Sequence, residues 1–264
     1  MKKYLSLFVA TTLILIVGLS SSAFAKEVYS ASISSQIHEA FGREILDIFE
    51  EASGIRVKSH IFSSKKAIER LRNGVTSIAA STIKLSVEDR KSGLIEIPIC
   101  KDALVIITHP DCAVKNITIK QARKLFSGHI KNWKEIGGAD QPVVKIIPDK
   151  HTGAYANFKR LAMGPFELTG DLVATKTFTA VIGVKNIPGA ISFISNGIAA
   201  KYNDISVLNV DGVFPSDSEY PFHQFFSMVI KGKPTPVIKE IIKFLTCDAA
   251  VEIMKERGIQ PVFK

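Results

Sequence analysis

The amino-acid sequence predicts an α/β protein built from mostly parallel sheets flanked by helices. Short apolar or β-branched runs alternate along the chain with segments whose apolar residues recur at helical spacing. That alternation is typical of strands joined by crossover helices, which place neighbouring strands parallel. A length of 264 residues suits one large domain or two of ordinary size. The sequence contains no long flexible linker, so two domains would have to be joined by strands that cross between them.

The N-terminal segment has the three parts of a secretory signal peptide. Lys2 and Lys3 give a positive start, an apolar run follows from Leu5 to Gly18, and Ala23–Ala25 forms an A-x-A cleavage site. The alternative is a membrane anchor, but the run is shorter than the roughly 20 residues that a spanning helix needs. We therefore predict a cleavable signal peptide over residues 1–25 and a periplasmic location for the mature chain.

The first part of the mature chain predicts a strand–helix–strand–helix–strand series. Val28–Ser32 forms the first strand, and apolar residues at helical spacing from Ile37 to Phe49 form a helix that Gly54 ends. Ile55–Ile61 alternates in character as a strand does. A short helix and a small buried strand follow, with Ala67, Ile68 and Leu71 on one helix face and then Thr76–Ala80.

The second part continues the alternation of strands and helices. Ala103–Thr108 is apolar and β-branched, which predicts a central strand. Thr118 and Gln121 have the spacing of a capping box at the start of a helix over Ile119–Phe126. A strand, a helix with Thr152 as its N-cap and two C-terminal helices complete the series. Their positions are Val143–Ile147, Ala154–Met163, a helix that begins at Pro236, and Asp248–Glu256.

The cysteine count and the net charge constrain the disulfide pairing and the kind of partner only loosely. The chain has three cysteines, so at least one is unpaired or pairs with another molecule. Cys100 and Cys112 can form a disulfide in an oxidising compartment or stay as free thiols, and the sequence leaves both possibilities open.

The formal net charge of +9 favours anionic partners. The basic residues are dispersed and no nucleic-acid motif is present, so we expect no nucleic-acid partner.

Catalytic and metal-binding motifs are absent from the sequence. None of the six histidines lies in an H-E-x-x-H pair, and no C-x-x-C offers a zinc site. The nucleophile elbow, the Walker loop and the dinucleotide-binding glycine motif are also missing. We therefore expect a protein that is not an enzyme and that uses no metal or cofactor.

Small hydroxyl residues recur where predicted strands give way to helices. In α/β sheets, ligands gather at the carboxyl ends of the strands, where helix N-termini present free N–H groups that suit an anion. Hydroxyls add short neutral donors, so converging junctions could surround a tetrahedral oxyanion. The alternative is that each residue only caps its helix. The four junctions contain Ser34 and Ser35, then Ser64 and Lys65, then Ser81 and Thr82, and finally Thr152 and Gly153.

Five sequence blocks resemble phosphate-binding-type periplasmic proteins, the solute receptors of ABC importers. They occur in the family's order and cover nearly all of the mature chain. The blocks are Ile117–Ile119 with Phe126–Gly138, Thr152–Tyr155 with Phe158, Ile187–Phe193, Tyr220–Phe222 with Met228–Gly232, and Gly258–Val262. The second is similar to the family's "SGTxxxF" anion loop and the third to its "TPGAIGY" segment.

The resemblance implies a two-lobed type II periplasmic-binding-protein fold that closes on its ligand. Lobe 1 would comprise residues 26–105 and 191–264, and lobe 2 residues 106–190. The implied ligand is a small oxyanion, phosphate or a relative of it. The implied protein partner is an ABC permease, or alternatively a membrane sensor to which the module signals, and the chain would be a monomer.

The family's ligand loops can be carried over residue by residue. The first loop comprises Ser34, Ser35, Gln36 and Ile37, and the second runs from Ser63 to Lys65. The third comprises Ser81 and Thr82, and the fourth Thr152, Gly153 and Ala154, with Lys150 close by. Three positions depart from the family pattern. Thr82 stands in place of an aspartate that accepts the proton of hydrogen phosphate, Pro148 in place of an arginine, and Ala154 in place of a threonine. These departures leave the identity of the anion open.

Overall fold

The structure is a computed structural model that describes residues 28–263. The predicted signal peptide lies outside the described residues. The strands are β1 Val28–Ser34, β2 Arg56–Phe62, β3 Ile78–Ser81, β4 Leu94–Thr108, β5 Asn116–Ile117, β6 Val144–Pro148, β7 Leu172–Ala174, β8 Ala190–Ser195, β9 Ser206–Val207, β10 Asn209–Val210, β11 His223–Lys231 and β12 Gln260–Pro261. The helices are α1 Ser35–Phe41, α2 Glu44–Ser53, α3 Ser64–Arg72, α4 Val87–Lys91, α5 Ile119–Phe126, α6 Gly153–Phe158, α7 Thr177–Asn186, α8 Asn196–Ala199, α9 Pro236–Leu245 and α10 Asp248–Glu256.

The strands form a two-lobed α/β architecture, as predicted. Their order along the main path is β2-β1-β3-β11-β4-β8-β6-β7. Strands β1, β2 and β3 are parallel to one another, and so are β6, β7 and β8. We call the half that contains β1–β3 lobe 1 and the half that contains β6–β8 lobe 2. The strands between them, β4 and β11, are antiparallel to their neighbours.

Strand β4 runs through both lobes. Its residues from Leu94 to Ala103 pair with β11, and those from Leu104 to Thr108 pair with β8. The buried second half is the central strand that the sequence predicts. The first half was not predicted as a strand, because it contains Pro98 and charged residues. The β4–β11 register shifts between the pairs at Cys100 and Pro98. This irregularity accommodates a proline, which cannot donate to a regular ladder.

Two predicted helices are modified by local backbone geometry. The helix predicted from Ile37 to Phe49 is divided into α1 and α2 at Gly42, which has a φ of +66°. Phe41, Ile45 and Phe49 are nevertheless all buried, so the apolar spacing is maintained across the break. The helix predicted over Ala154–Met163 ends its α-helical part at Phe158, and Lys159–Met163 is a π-helix. The capping box at Thr118, the N-cap at Thr152 and the helix over Asp248–Glu256 agree with the prediction.

Aromatic residues pack the core of lobe 2, and an apolar cavity lies in lobe 1. In lobe 2 the rings of Phe158 and Phe193 stack with centroids 3.9 Å apart, and the indole Nε1 of Trp133 donates to the carbonyl of Gly189 at 2.9 Å. In lobe 1 the helices α1, α2, α9 and α10 cover one face of the sheet. An apolar cavity of about 130 Å³ lies beneath them, with Phe49, Ala80 and Phe226 among its lining residues.

The question of a Cys100–Cys112 disulfide is answered by the structure. Cys100, Cys112 and Cys247 are all free thiols. Cys100 is buried in β4, and burial raises the pKa of its thiol. Cys112 directs its sulfur toward the carbonyl of Val114 at 3.7 Å. Across residues 28–263, no helix has the length and apolar character needed to cross a membrane.

Candidate ligand-binding site

Junctions from both lobes meet at Gly153, the first residue of α6. A Cβ atom placed on this glycine would lie 2.1 Å from Thr82 Oγ1, 3.1 Å from Ser64 Oγ and 3.2 Å from Gln36 Oε1. Gly153 belongs to lobe 2, whereas the other three residues belong to lobe 1. The close approach therefore requires glycine and places three lobe 1 junctions opposite one lobe 2 junction.

The hydroxyl groups of the lobe 1 junctions form a buried cluster. Ser64 Oγ donates to Ser34 Oγ at 2.9 Å, lies 3.1 Å from Thr82 Oγ1, and accepts from the backbone N–H of Thr82 at 3.1 Å. All three side chains are buried. Three of the predicted junctions therefore meet in one place, as expected for the carboxyl ends of neighbouring parallel strands.

Local sequence explains how these hydroxyls come together. Ser34 is the last residue of β1, and it is in register with Phe62 at the end of β2. Ser63 then caps α3 by accepting from the backbone N–H of Lys66 at 3.3 Å. That cap places Ser64 at the first position of α3, where its side chain reaches back to the end of β1.

Gln36 occupies the same site with no partner of its own. Its side chain is 5% exposed, and within residues 28–263 neither Nε2 nor Oε1 has a hydrogen-bond partner. A buried polar group that lacks a partner costs about 1–3 kcal/mol. The Gln36 amide therefore stays unpaired where Gly153 contacts lobe 1, and an anion between the lobes could form hydrogen bonds with it.

A buried network of amides connects this cluster to the crossing strands. Asn157 Nδ2, on α6, donates to the carbonyl of Thr82 at 2.6 Å and to Gln224 Oε1 at 2.9 Å. Gln224 Nε2 donates to Asp102 Oδ2 at 2.9 Å, and the backbone N–H of Gly197 donates to Asp102 Oδ1 at 3.1 Å. An ionised carboxylate can only accept, so Asp102 fixes the orientation of both amides. Asn157, on α6 of lobe 2, therefore donates a hydrogen bond to Thr82 of lobe 1.

Burial is the main cause of the shift in the pKa of Asp102. It raises the pKa of this carboxyl from 3.8 to about 6, against the hydrogen bond from Gln224, which lowers it. The carboxylate is linked to the Thr82 loop only indirectly among the described residues, through Gln224 and Asn157. The groups that meet at Gly153 are accordingly hydroxyls and amides without a formal charge.

The remaining predicted site residues lie around the cluster. Lys65 and Lys150 are exposed, and Ser35 and Ala154 are partly exposed. The hydroxyl of Thr152 donates to the carbonyl of Asp149 at 2.7 Å and accepts from the N–H of Tyr155, so it serves as the helix cap. Ser81 is buried, and its hydroxyl bonds to the backbone of Ile83. Thr152 is therefore a helix cap, as in the alternative interpretation of the sequence pattern, whereas Ser81 stabilises the turn after β3 and caps no helix.

Sequence reasoning missed Asn157, Gln224 and Asp102. The available signals were a polar residue beside Phe158 inside a predicted helix, and an acid directly before the predicted strand Ala103–Thr108. No group of three histidine, cysteine, aspartate or glutamate side chains within residues 28–263 is arranged to hold a metal ion.

Comparison with known proteins identifies the family. A family model described as a PBP superfamily domain matches residues 20–249. The chain belongs to the PBP superfamily. Among curated members, it is 25% identical over 258 residues to the phosphate-binding protein PstS of Bacillus subtilis, which covers 92% of this chain and 85% of that protein. It is 26% identical over 211 residues to PstS of Borreliella burgdorferi, with 74% of this chain and 76% of that protein covered.

Two solved structures of transport receptors resemble this chain in fold. A putative phosphate ABC transporter substrate-binding protein with bound phosphate from Clostridium perfringens superposes with a TM-score of 0.80 at 24% identity, covering 89% of this chain and all of that one. An ABC-type phosphate transport receptor from Vibrio cholerae gives a TM-score of 0.70 at 24% identity, covering 88% of this chain and 99% of that one. Both solved structures therefore share the two-lobed fold of this chain.

Proposed function

We propose that this chain is the phosphate-binding protein of an ABC importer and that it captures the anion between its two lobes. The observation that carries the proposal is the meeting of Ser34, Ser64 and Thr82 from lobe 1 with Gly153 from lobe 2. The names of the curated relatives, both phosphate-binding proteins, support the choice of ligand. The role is binding and not catalysis, because the cluster offers hydrogen-bond donors without a paired acid and base.

Neutral donors would hold the anion in this site. The hydroxyls of Ser34, Ser64 and Thr82 would rotate toward its oxygens, and the backbone N–H groups of Gly153 and Ala154 would donate from lobe 2. Hydrogen bonds to a charged group are worth about 1.5–3 kcal/mol each, so several of them can hold a dianion without a positively charged side chain in contact.

Residues at the margin of the site would assist indirectly. The exposed Lys65 and Lys150 would attract the anion over a longer range, and Ser35 would face it at the start of α1. Thr152 would set the local backbone through its helix cap, and Ser81 through its hydrogen bonds to the backbone of Ile83.

Binding would be coupled to motion of the lobes. The sequence prediction ends lobe 2 at residue 190, where β8 begins. Because β8 pairs with β6, we propose that lobe 2 begins near residue 106, where β4 leaves β11, and that the chain returns to lobe 1 after Ser195. Bending of the crossing strands would open the site, and the anion would stabilise the closed form because it contacts both lobes only there. The closed monomer would then dock on the permease in the periplasm, after removal of residues 1–25.

Thermal unfolding of the mature chain tests the proposal. Inorganic phosphate at about 100 times its dissociation constant should stabilise the protein by roughly 2.7 kcal/mol. Arsenate, sulfate, molybdate and tungstate are the comparison anions. The Ser64→Ala variant should bind phosphate more weakly, whereas Lys65→Ala should show a smaller loss that diminishes as salt is raised. If no oxyanion shifts the transition, the proposed function is wrong.

A further inference from the structure

We propose that the apolar cavity of lobe 1 is a second binding site, which takes a small uncharged aromatic molecule about the size of a benzene ring. The cavity lies between the lobe 1 sheet and helices α1, α2, α9 and α10. Ser34, Ser64 and Thr82 of the hydroxyl cluster are not among its lining residues. The cavity is thus separate from the proposed anion site, and its ligand would bind whether or not an anion is present.

The lining of the cavity selects an uncharged ligand. Among the described residues, it includes no aspartate, glutamate, lysine or arginine. The hydroxyl of Ser227, one of its few polar groups, is engaged because it donates to Glu96 Oε1 at 3.0 Å. An ion in this cavity would lose its hydration and gain no partner of opposite charge, which is unfavourable. An apolar molecule loses no such interaction and buries its surface.

The volume of the cavity sets the size of the ligand. It measures about 130 Å³. An engineered cavity of about 150 Å³ in another protein, lined by leucine, isoleucine and phenylalanine, stays dry and binds benzene or xenon. The lobe 1 cavity has a lining of the same kind and nearly the same volume. A single six-membered ring therefore fits it.

Aromatic rings in the lining favour an aromatic ligand over a saturated one. Phe41 and Phe226 form an edge-to-face pair with centroids 6.0 Å apart, and Phe49 and Phe244 form a tilted pair with centroids 5.3 Å apart. All four rings line the cavity, together with the thioether of Met228. Edge-to-face contacts between rings and contacts between sulfur and a ring edge are favourable beyond the burial of area. A bound aromatic ring can form both.

Helix α9 provides a route of entry. Ile241, Phe244 and Leu245 line the cavity and yet remain partly exposed. Within α9, all of which the structure describes, Ile238 is the one buried residue. A helix with so little buried surface can move away from the sheet at a small cost in free energy. A ligand can therefore enter beneath α9 without unfolding of the lobe 1 sheet.

Thermal unfolding and calorimetry of the mature chain with benzene test this assignment. Benzene at about 100 times its dissociation constant should raise the Tm by roughly 5–10 °C. Benzoate has the same ring with a charge and should produce no shift. Cyclohexane at the same concentration as benzene should produce a smaller shift, and an equal one would overturn the aromatic preference.

Variants locate the site. Ala80→Val and Ala31→Val each add two methyl groups at a lining position, so each should weaken benzene binding by roughly tenfold or more. Ala249→Val adds the same groups at an exposed position of α10 and should bind benzene as the wild type does. The unfolding transition without ligand identifies a variant that does not fold, and the other filling variant then decides. Equal benzene affinity in a folded filling variant and in Ala249→Val would overturn the assignment.

Inorganic phosphate separates this inference from the proposed function. A wild-type chain whose Tm responds to phosphate and not to benzene overturns the second site and leaves the proposed function intact. A chain that responds to benzene and to no oxyanion supports the second site and overturns the proposed function.

Discussion

Substitution of Gly153 by alanine should impair phosphate binding by preventing the approach of the two lobes. The added Cβ would lie 2.1 Å from Thr82 Oγ1, and real Cβ atoms do not approach another atom closer than 3.0 Å. The two loops must therefore separate by about 1 Å, and overpacking of this kind typically costs about 1–3 kcal/mol. Expressed as a change in dissociation constant, this cost is roughly 5- to 150-fold.

The structure also defines the control for this experiment. Gly153 has an ordinary helical backbone rather than a left-handed one, so alanine is compatible with α6 itself. The ligand-free protein can relieve the overlap by opening, and its unfolding temperature should change by no more than about 2–4 °C per kcal/mol of strain that remains. Thr82→Ala removes the atom that clashes, so the double variant should lose less affinity than the two single losses combined. Phosphate affinity for Gly153→Ala within about twofold of wild type would refute the contact as part of the bound state.

Three further substitutions examine the network, the buried acid and the cavity. Asn157→Leu leaves the carbonyl of Thr82 and Gln224 Oε1 unpaired, so we expect phosphate binding to weaken by about 1–3 kcal/mol in calorimetry; unchanged affinity would show that this bond between the lobes is absent when the anion is bound. Asp102 has a pKa raised from 3.8 to about 6 in the folded protein, so the folded state holds its proton more firmly and the free energy of unfolding should fall as the pH rises from about 4 to 6, by about 3 kcal/mol in all. Urea unfolding across this range should show that Asp102→Asn loses this decrease, and parallel pH profiles would contradict it. Ala80→Val should partly fill the lobe 1 cavity and add about 1 kcal/mol of stability, a rise of about 2–4 °C in Tm; a lower Tm would mean that the cavity cannot accept two methyl groups.

Much of the fold was predictable because local signals agree with the tertiary structure. The capping box at Thr118, the N-cap at Thr152 and the apolar spacing around α10 each specify a boundary that the structure reproduces. The first half of β4 was not predictable, because Pro98 and the charged residues near it resemble a loop when the pairing partner is unknown. That partner, β11, lies more than a hundred residues further along the chain.

The site was predictable only at the level of junctions. Ser34, Ser64 and Thr82 were identified because parallel strands end at one edge of a sheet. The separation of these buried hydroxyls from the exposed Lys65 depends on which side of α3 faces the sheet, and the sequence pattern did not resolve this. Gln36 was within the first predicted loop by resemblance, but a glutamine near a helix start is usually solvated, and only the structure shows that its side chain is buried in the site.

The position of β11 has a consequence for the order in which the chain can fold. β11 lies between β3 and β4, although β3 and β4 are made early and residues 223–231 come late. During synthesis, the lobe 1 sheet therefore stays incomplete until most of the chain has emerged, with the inner edges of β3 and β4 unpaired. Strands β6, β7 and β8 come from one shorter stretch and can pair sooner. Contacts of such long sequence separation slow folding, so a newly made chain should remain unfolded for longer than a protein of local topology, and a chaperone or export factor would have that interval in which to bind it.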